Sequence, residues 1–210
     1  MDSQLLMYAF VTFVTCVTPG AGVLYTVSNA FRYGKKNAWR SPVGNTLGVA
    51  VMSAISATGL GALIAANATI FSTLQVLGAL VLAWFGWKSW KAPVIDLGSI
   101  GKGLSRRDED VKKVVRNAAA LQLTNPMTVV FLLSLMPPFI DQSRPYGPQV
   151  ALLSGLFVVI CLVVHLAYSY TAAMFGRFLR GERFSLWLNR VSAVLFWLCA
   201  AAVVASVLRG

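Results

Sequence analysis

Five uncharged runs constrain this chain more than anything else in it: residues 3–31, 41–87, 117–140, 145–176 and 191–208. A transmembrane helix needs about 20 mostly apolar residues. Each run is near or above that length, and 41–87 is long enough for two helices. Six spans follow, at about 4–29, 43–66, 70–87, 117–140, 149–175 and 187–208. Only 12% of the residues are charged, against roughly 25% in soluble domains. That leaves little material for a soluble domain, so a single all-α membrane domain over 1–210 is expected.

The net charge of +11 raises nucleic acid as a partner, but its distribution argues against one. With six spans, the loops after spans 1, 3 and 5 share one side. They hold sixteen of the eighteen Lys and Arg, leaving only Arg144 and Arg209 elsewhere. This is a positive-inside pattern, and it places both termini outside the cytoplasm. Met1-Asp2 precedes the first apolar run without a basic region, so no cleaved signal peptide is expected. Cys16, Cys161 and Cys199 fall in apolar runs without CxxC or ligand spacing, and read as small buried hydrophobes. No metal site and no cofactor are expected.

Thr18-Pro19-Gly20 interrupts the first run. Proline removes a backbone donor and clashes with the carbonyl four residues back. Inside a bilayer, freed backbone groups are tolerated only in protein or beside a wet cavity. Span 1 should therefore be kinked or broken, facing something polar. In span 2, Gly44-x-x-x-Gly48, continued by Gly59, reads as a close-packing face. Trp84, Trp87 and Trp90 share a face of span 3 beside Lys88 and Lys91, as an interfacial aromatic anchor would. Residues 92–116 read as a flexible cytoplasmic linker, with Asp108, Glu109 and Asp110 as a solvated charge cluster rather than a metal site. Span 4 carries Thr124-Asn125-Pro126.

The second half repeats the first. An offset of 107 residues maps Pro19 onto Pro126, Thr18 onto Asn125 and Gly48 onto Gly155. Repeat 1 covers about 1–91 and repeat 2 about 117–210. Each holds three spans, an odd number, so the halves must be inverted relative to one another. That is the plan of many secondary transporters, whose substrates bind mid-membrane where paired broken helices meet.

These features together resemble the LysE/RhtB amino-acid exporter family: Thr18-Pro19-Gly20, the Gly34-Lys35-Lys36 loop, Gly44-x-x-x-Gly48, Leu77-Gly78-Ala79 with Gly86, and Asn125-Pro126. The resemblance covers nearly the whole chain. It implies a multi-pass protein of the bacterial inner membrane that exports amino acids or related metabolites by secondary active transport, and no enzyme. By position, Thr18, Pro19, Gly20, Asn125 and Pro126 would form the central site. Two positions depart from the family's TPGP and NPK fingerprints: Ala21 replaces the second proline and Met127 the lysine.

A zwitterionic amino acid needs partners at both ends. Helix breaks supply amides for the carboxylate, and carbonyls and hydroxyls for the ammonium. The polar candidates are Thr15, Thr18, Asn45, Thr124 and Asn125, with bonding between helices as their ordinary role. Apart from Arg190 at the start of span 6, no Asp, Glu, Lys or Arg falls within a span, which points to a neutral substrate and leaves no acidic proton carrier. His165, the sole histidine, is the candidate for proton coupling to the proton motive force. Asp141, at the outer end of span 4, is a candidate gate. Lipid is the surrounding partner, and self-association stays open.

Two other readings compete. A membrane thiol–disulfide electron carrier of the CcdA type needs a cysteine in the first span of each repeat. Cys16 meets half of that requirement, but its repeat partner is Leu123 and Cys161 lies in span 5. A passive channel or structural membrane subunit is the third reading, distinguished by whether substrate moves against its gradient.

Overall fold

A computed structural model describes residues 2–66, 68–94, 110–125, 128, 131–132, 136–141, 143–175 and 182–209. The expected turn at Asn67, most of the linker, and Pro126 and Met127 lie outside the described residues. Among those residues the chain is helical, with no strand.

Helix α1 runs Asp2–Val17 and α2 runs Ala21–Tyr33. The two meet at 57°, so span 1 is broken rather than merely kinked. The cause is local. The Thr18 amide and hydroxyl both donate to Val14 O, at 3.0 and 2.7 Å, closing α1. Pro19 has no N–H with which to extend it. Gly20 is extended, at φ −136° and ψ −174°, and α2 restarts from it. At the far end of α2, Gly34 takes φ +70°, a left-handed geometry that favours glycine. A 3₁₀ turn at Lys35–Asn37 follows.

Helix α3 (Arg40–Ala66) and α4 (Ala68–Trp90) follow the expected spans 2 and 3, each extended by a few residues. Helix α5, Val111–Leu123, starts six residues before the expected span 4. The linker reading of 111–116 is therefore corrected. Asp110, expected as part of a solvated cluster, accepts from Lys112 N at 3.1 Å and caps the helix. Val114, Ala118 and Gln122 form its buried face at helical spacing, while Lys112, Lys113 and Arg116 are exposed. The break expected at Thr124-Asn125-Pro126 falls where α5 ends, at Leu123, and Thr128, Phe131 and Leu132 are helical again beyond it. A 3₁₀ turn at Pro137–Phe139 precedes α6 (Tyr146–Phe175) and α7 (Glu182–Arg209).

The helices pack in four main pairings: α4 on α7, α3 on α5, α3 on α6, and α6 on both α1 and α2. Gly44 and Gly48 carry the α3–α5 contact. A Cβ at Gly48 would sit 2.7 Å from Gln122 Cβ and 2.8 Å from Ala119 O, and one at Gly44 would strike Val115 O. Gly155 instead has open space around it. Trp197 donates to Ala83 O at 3.1 Å and fills the space over Gly86. Phe131 stacks between Phe85 and Phe157, with centroids 6.3 and 5.4 Å away, and forms the centre of the core.

The outer surface is apolar. Leu6, Leu80, Val163 and Leu198 are each about 60–70% exposed, which suits lipid contact rather than water. Among the described residues, Tyr146–Met174 and Ser185–Ala205 are long and apolar enough to cross a bilayer, and the bent α1–α2 pair makes a third candidate. Trp84 and Trp87 stand exposed with Lys88 and Lys91 over their rings at 5.0 and 5.1 Å. Trp90, also exposed, packs against Trp197 at 5.6 Å.

Candidate functional site

The break between α1 and α2 opens onto a cavity of about 90 Å³, which has room for several waters. One wall is the break itself: Thr15, Thr18, Pro19, Gly20 and the first turn of α2. The opposite wall comes from the second half, with Gln122, Asn125 and Thr128. Cys161 and His165 of α6 close a third side, and Phe131, Phe157 and Phe196 make an apolar floor. Of the residues expected from the sequence, Thr15, Thr18, Pro19, Gly20, Asn125 and His165 thus meet in one place. Pro126 lies outside the described residues.

Three expected residues stand elsewhere. Thr124 is exposed and donates to Ala120 O at 2.9 Å, closing α5, and it does not line the cavity. Asn45 is buried behind the cavity wall, donating to Gly22 O at 3.3 Å and Thr26 Oγ1 at 2.9 Å. It ties α3 to α2. Asp141 lies in the loop before α6, beside a separate cavity of about 60 Å³ shared with Gln4 and Leu5. There the Ser143 hydroxyl and amide, at 2.6 and 2.9 Å, hold its carboxyl below the usual carboxylate range, and Arg144 at 3.1 Å adds to that effect.

Thr15 and Thr18 present oxygens rather than donors. Their hydroxyls donate to Val11 O and Val14 O at 2.8 and 2.7 Å, leaving lone pairs toward the cavity. The amides come from α2. Its first helical bond is Leu24 N to Gly20 O at 2.9 Å, and Gly20 brings no side-chain cap. The amides of Ala21, Gly22 and Val23 therefore sit at the positive end of a thirteen-residue helix, on the cavity wall.

Gly22 is the close-approach point. A Cβ there would lie 3.3 Å from His165 Nε2 and 3.4 Å from Gln122 Oε1. His165 Nδ1 lies 2.9 Å from Cys161 O. Donation to that carbonyl leaves Nε2 as the acceptor of a neutral ring. Gln122 donates Nε2 to Thr128 Oγ1 at 2.8 Å, which turns Oε1 toward the same point. The helix-positive end, two side-chain acceptors and the threonine oxygens thus surround one small volume.

Sequence reasoning missed Gln122, Gly22 and Thr128. The 107-residue offset held a signal for two of them, since it maps Thr15 onto Gln122 and Ala21 onto Thr128. It also missed that the buried thiols of Cys16 and Cys161 are neighbours on the wall of one cavity.

Long apolar helices and an apolar outer surface around an internal cavity at a helix break define a membrane protein. The family model described as LysE type translocator matches residues 13–206, and the chain belongs to that family. It is 29% identical to an uncharacterized membrane protein of Vibrio cholerae, over 92% of this chain and 93% of that one. It is 28% identical to the homoserine/homoserine lactone efflux protein of Salmonella typhimurium, over 92% of each chain. It is 25% identical to the leucine efflux protein of an Enterobacter species, over 84% of this chain and 82% of that one. No solved structure matches the chain.

Proposed function

We propose that this protein is a secondary active exporter of neutral amino acids or close derivatives, in the inner membrane of a bacterium and driven by the proton motive force. The observation that carries the reading is the cavity, where a helix-positive end and a set of acceptor atoms face the same volume. A substrate carboxylate fits the amides of Ala21, Gly22 and Val23. Its ammonium fits Gln122 Oε1 and the oxygens of Thr15 and Thr18. Homoserine and leucine, named for two relatives, are both neutral amino acids. Among the described residues, the cavity walls carry no Asp, Glu, Lys or Arg, in keeping with a side chain that needs no counter-charge. His165, with Nε2 facing the same point, is the group we assign to proton coupling. Asp141 is our candidate for an outer gate.

We further propose six spans in two inverted repeats, with both termini outside the cytoplasm. The packing supports this. Exchanging the repeats turns the α3–α5 pair into the pair formed by α6 with α1 and α2, and both pairs are present. The α3–α6 and α4–α7 pairs map onto themselves, and both of those are present too. The segregation of Lys and Arg supports the orientation.

The test is metabolite profiling of cells with and without the protein, challenged with dipeptides. A neutral amino acid should appear outside against its gradient, and an uncoupler should abolish that accumulation. An unchanged extracellular profile, with the protein confirmed in the membrane, refutes export. Movement only down the gradient leaves a channel.

A further inference from the structure

We propose that Cys16 and Cys161 are a redox modification site on the cavity wall: a dithiol that hydroperoxides convert to a reversible disulfide, stapling α1 to α6 and arresting export. The disulfide stands independently of the transport reading, and only the arrest rests on it.

The pair is built rather than accidental. Cys16 is on the last turn of α1 and Cys161 in the middle of α6, and both line the same cavity. Their thiols are neighbours on that wall. The elements carrying them are already pinned, since Tyr168 OH donates to Val17 O at 2.7 Å. His165 Nδ1 lies 3.5 Å from Cys161 Sγ. Its N–H, already aimed at the Cys161 carbonyl, can be shared with the sulfur and stabilise the thiolate, the reactive form. Cys199 is buried in α7 and lines no part of this cavity, so the chain carries its own unpaired control.

The chemistry balances with hydrogen peroxide as oxidant. The Cys161 thiolate attacks one peroxide oxygen. The O–O bond breaks, a sulfenic acid forms, and hydroxide leaves and takes up the thiol proton as water. Cys16 then attacks the sulfenic sulfur. The S–S bond forms, the S–O bond breaks, and hydroxide leaves with the Cys16 proton as a second water. Two thiols are oxidised and one peroxide is reduced to two waters. Peroxide is close to water in size, and the cavity has room for water. A thiol reductant reverses the bond by exchange.

A cross-link here joins the half-helix that ends at the first break to a helix of the other repeat. Alternating access needs the repeats to move against each other around the fixed site. The staple would hold them in one arrangement.

The full-length protein in lipid vesicles is treated with hydrogen peroxide, denatured, and labelled with a maleimide–polyethylene glycol that adds mass at each free thiol. The reduced chain should take three labels, one per cysteine, and the oxidised chain one, at Cys199. A dithiol reductant should restore all three. Mass spectrometry should find the peptides of Cys16 and Cys161 joined, with two hydrogens lost. Cys16→Ser and Cys161→Ser should each keep two labels after peroxide. Three labels persisting in the wild type, oxygen added to one sulfur without linkage, or a link through Cys199 overturns the proposal. Export by the wild type should fall at least ten-fold with peroxide and recover with reductant, whereas the rate of Cys16→Ser, whatever its starting value, should not respond. A disulfide that forms while export continues overturns the arrest alone. A protein that exports no amino acid before oxidation refutes the exporter reading and leaves the labelling result standing.

Discussion

The two helix breaks are written in similar letters 107 residues apart, yet they meet the central cavity differently. At Thr18-Pro19-Gly20 the backbone faces the cavity, because α2 restarts at once and turns its first amides inward. At Thr124-Asn125 the hydroxyl of Thr124 closes its own helix from the exposed side. Among the described residues, the cavity there receives side chains: Asn125 at the break itself, and Gln122 and Thr128 on either side of it, bonded to each other at 2.8 Å. The 107-residue offset matches where the breaks fall but not what each presents. The difference suits a substrate with unlike ends, since backbone amides are donors and the Gln122 oxygen is an acceptor.

The same contrast runs through the glycines, and there it predicts the largest effect. Gly48 and Gly155 correspond by the repeat, but only Gly48 lies under a neighbour. Gly48→Val forces a branched side chain into the α3–α5 seam and should cost about 1–3 kcal/mol or more. Thermal unfolding in detergent would show an early transition or none. Gly155→Val adds a side chain to open space and should stay within about 0.5 kcal/mol. Equal losses would mean that both glycines pack alike and that the halves are more symmetric than described here.

The breaks themselves come next. Pro19→Ala restores the missing donor and removes the ring that stops α1, so the 57° bend should relax toward a continuous helix. Helical continuity removes the end whose amides face the cavity, and export should fall roughly ten-fold or more, equivalent to about 1.4 kcal/mol of lost site energy. Gln122→Ala and Asn125→Ala, on the other wall, should reduce export by a smaller factor, with insertion intact in all three. Efflux assays on membranes matched for protein content decide it. A wild-type rate in Pro19→Ala would reduce the first break to a packing kink. A loss in Gln122→Ala larger than in Pro19→Ala would move the centre of the site to the second half.

Which of these features could be read from the residues follows from what each depends on. Helix existence depends on run length and composition, which are local, so α3, α4, α6 and α7 lie where the uncharged runs are. The first break depends on proline's missing donor, also local. The start of α5 was obscured because Lys112, Lys113 and Arg116 look like linker. Their alternation with Val114 and Ala118 becomes a helix face only once Gly44 and Gly48 provide a surface to bury it. Gln122 looked like a lone polar residue in an apolar run, and its role depends on Thr128 and Gly22 arriving from elsewhere. Cys161 escaped because the repeat offset pointed from Cys16 to Leu123, while the true neighbour comes from a helix that the offset does not pair with α1. Thr124 was overvalued for the opposite reason: its letter matched, but it faces outward.

The smallest expected effect separates the two threonines that flank the prolines. Both hydroxyls donate to a carbonyl four residues back, at 2.7 Å for Thr18 and 2.9 Å for Thr124, so Thr→Val removes the same kind of bond from each. Valine keeps the shape, and the carbonyls stay paired in the helix or at its end, so neither change should cost much stability. Only Thr18 lines the cavity. Thr18→Val should therefore raise the half-saturating substrate concentration by roughly three-fold, in the range of one hydrogen bond, with the maximal rate little changed. Thr124→Val should leave both constants as they were. Concentration-dependent uptake into inside-out vesicles measures both. If Thr124→Val weakens substrate binding as much as Thr18→Val does, the second break presents its hydroxyl to the substrate during the cycle, and the asymmetry between the breaks belongs to one conformation rather than to the protein.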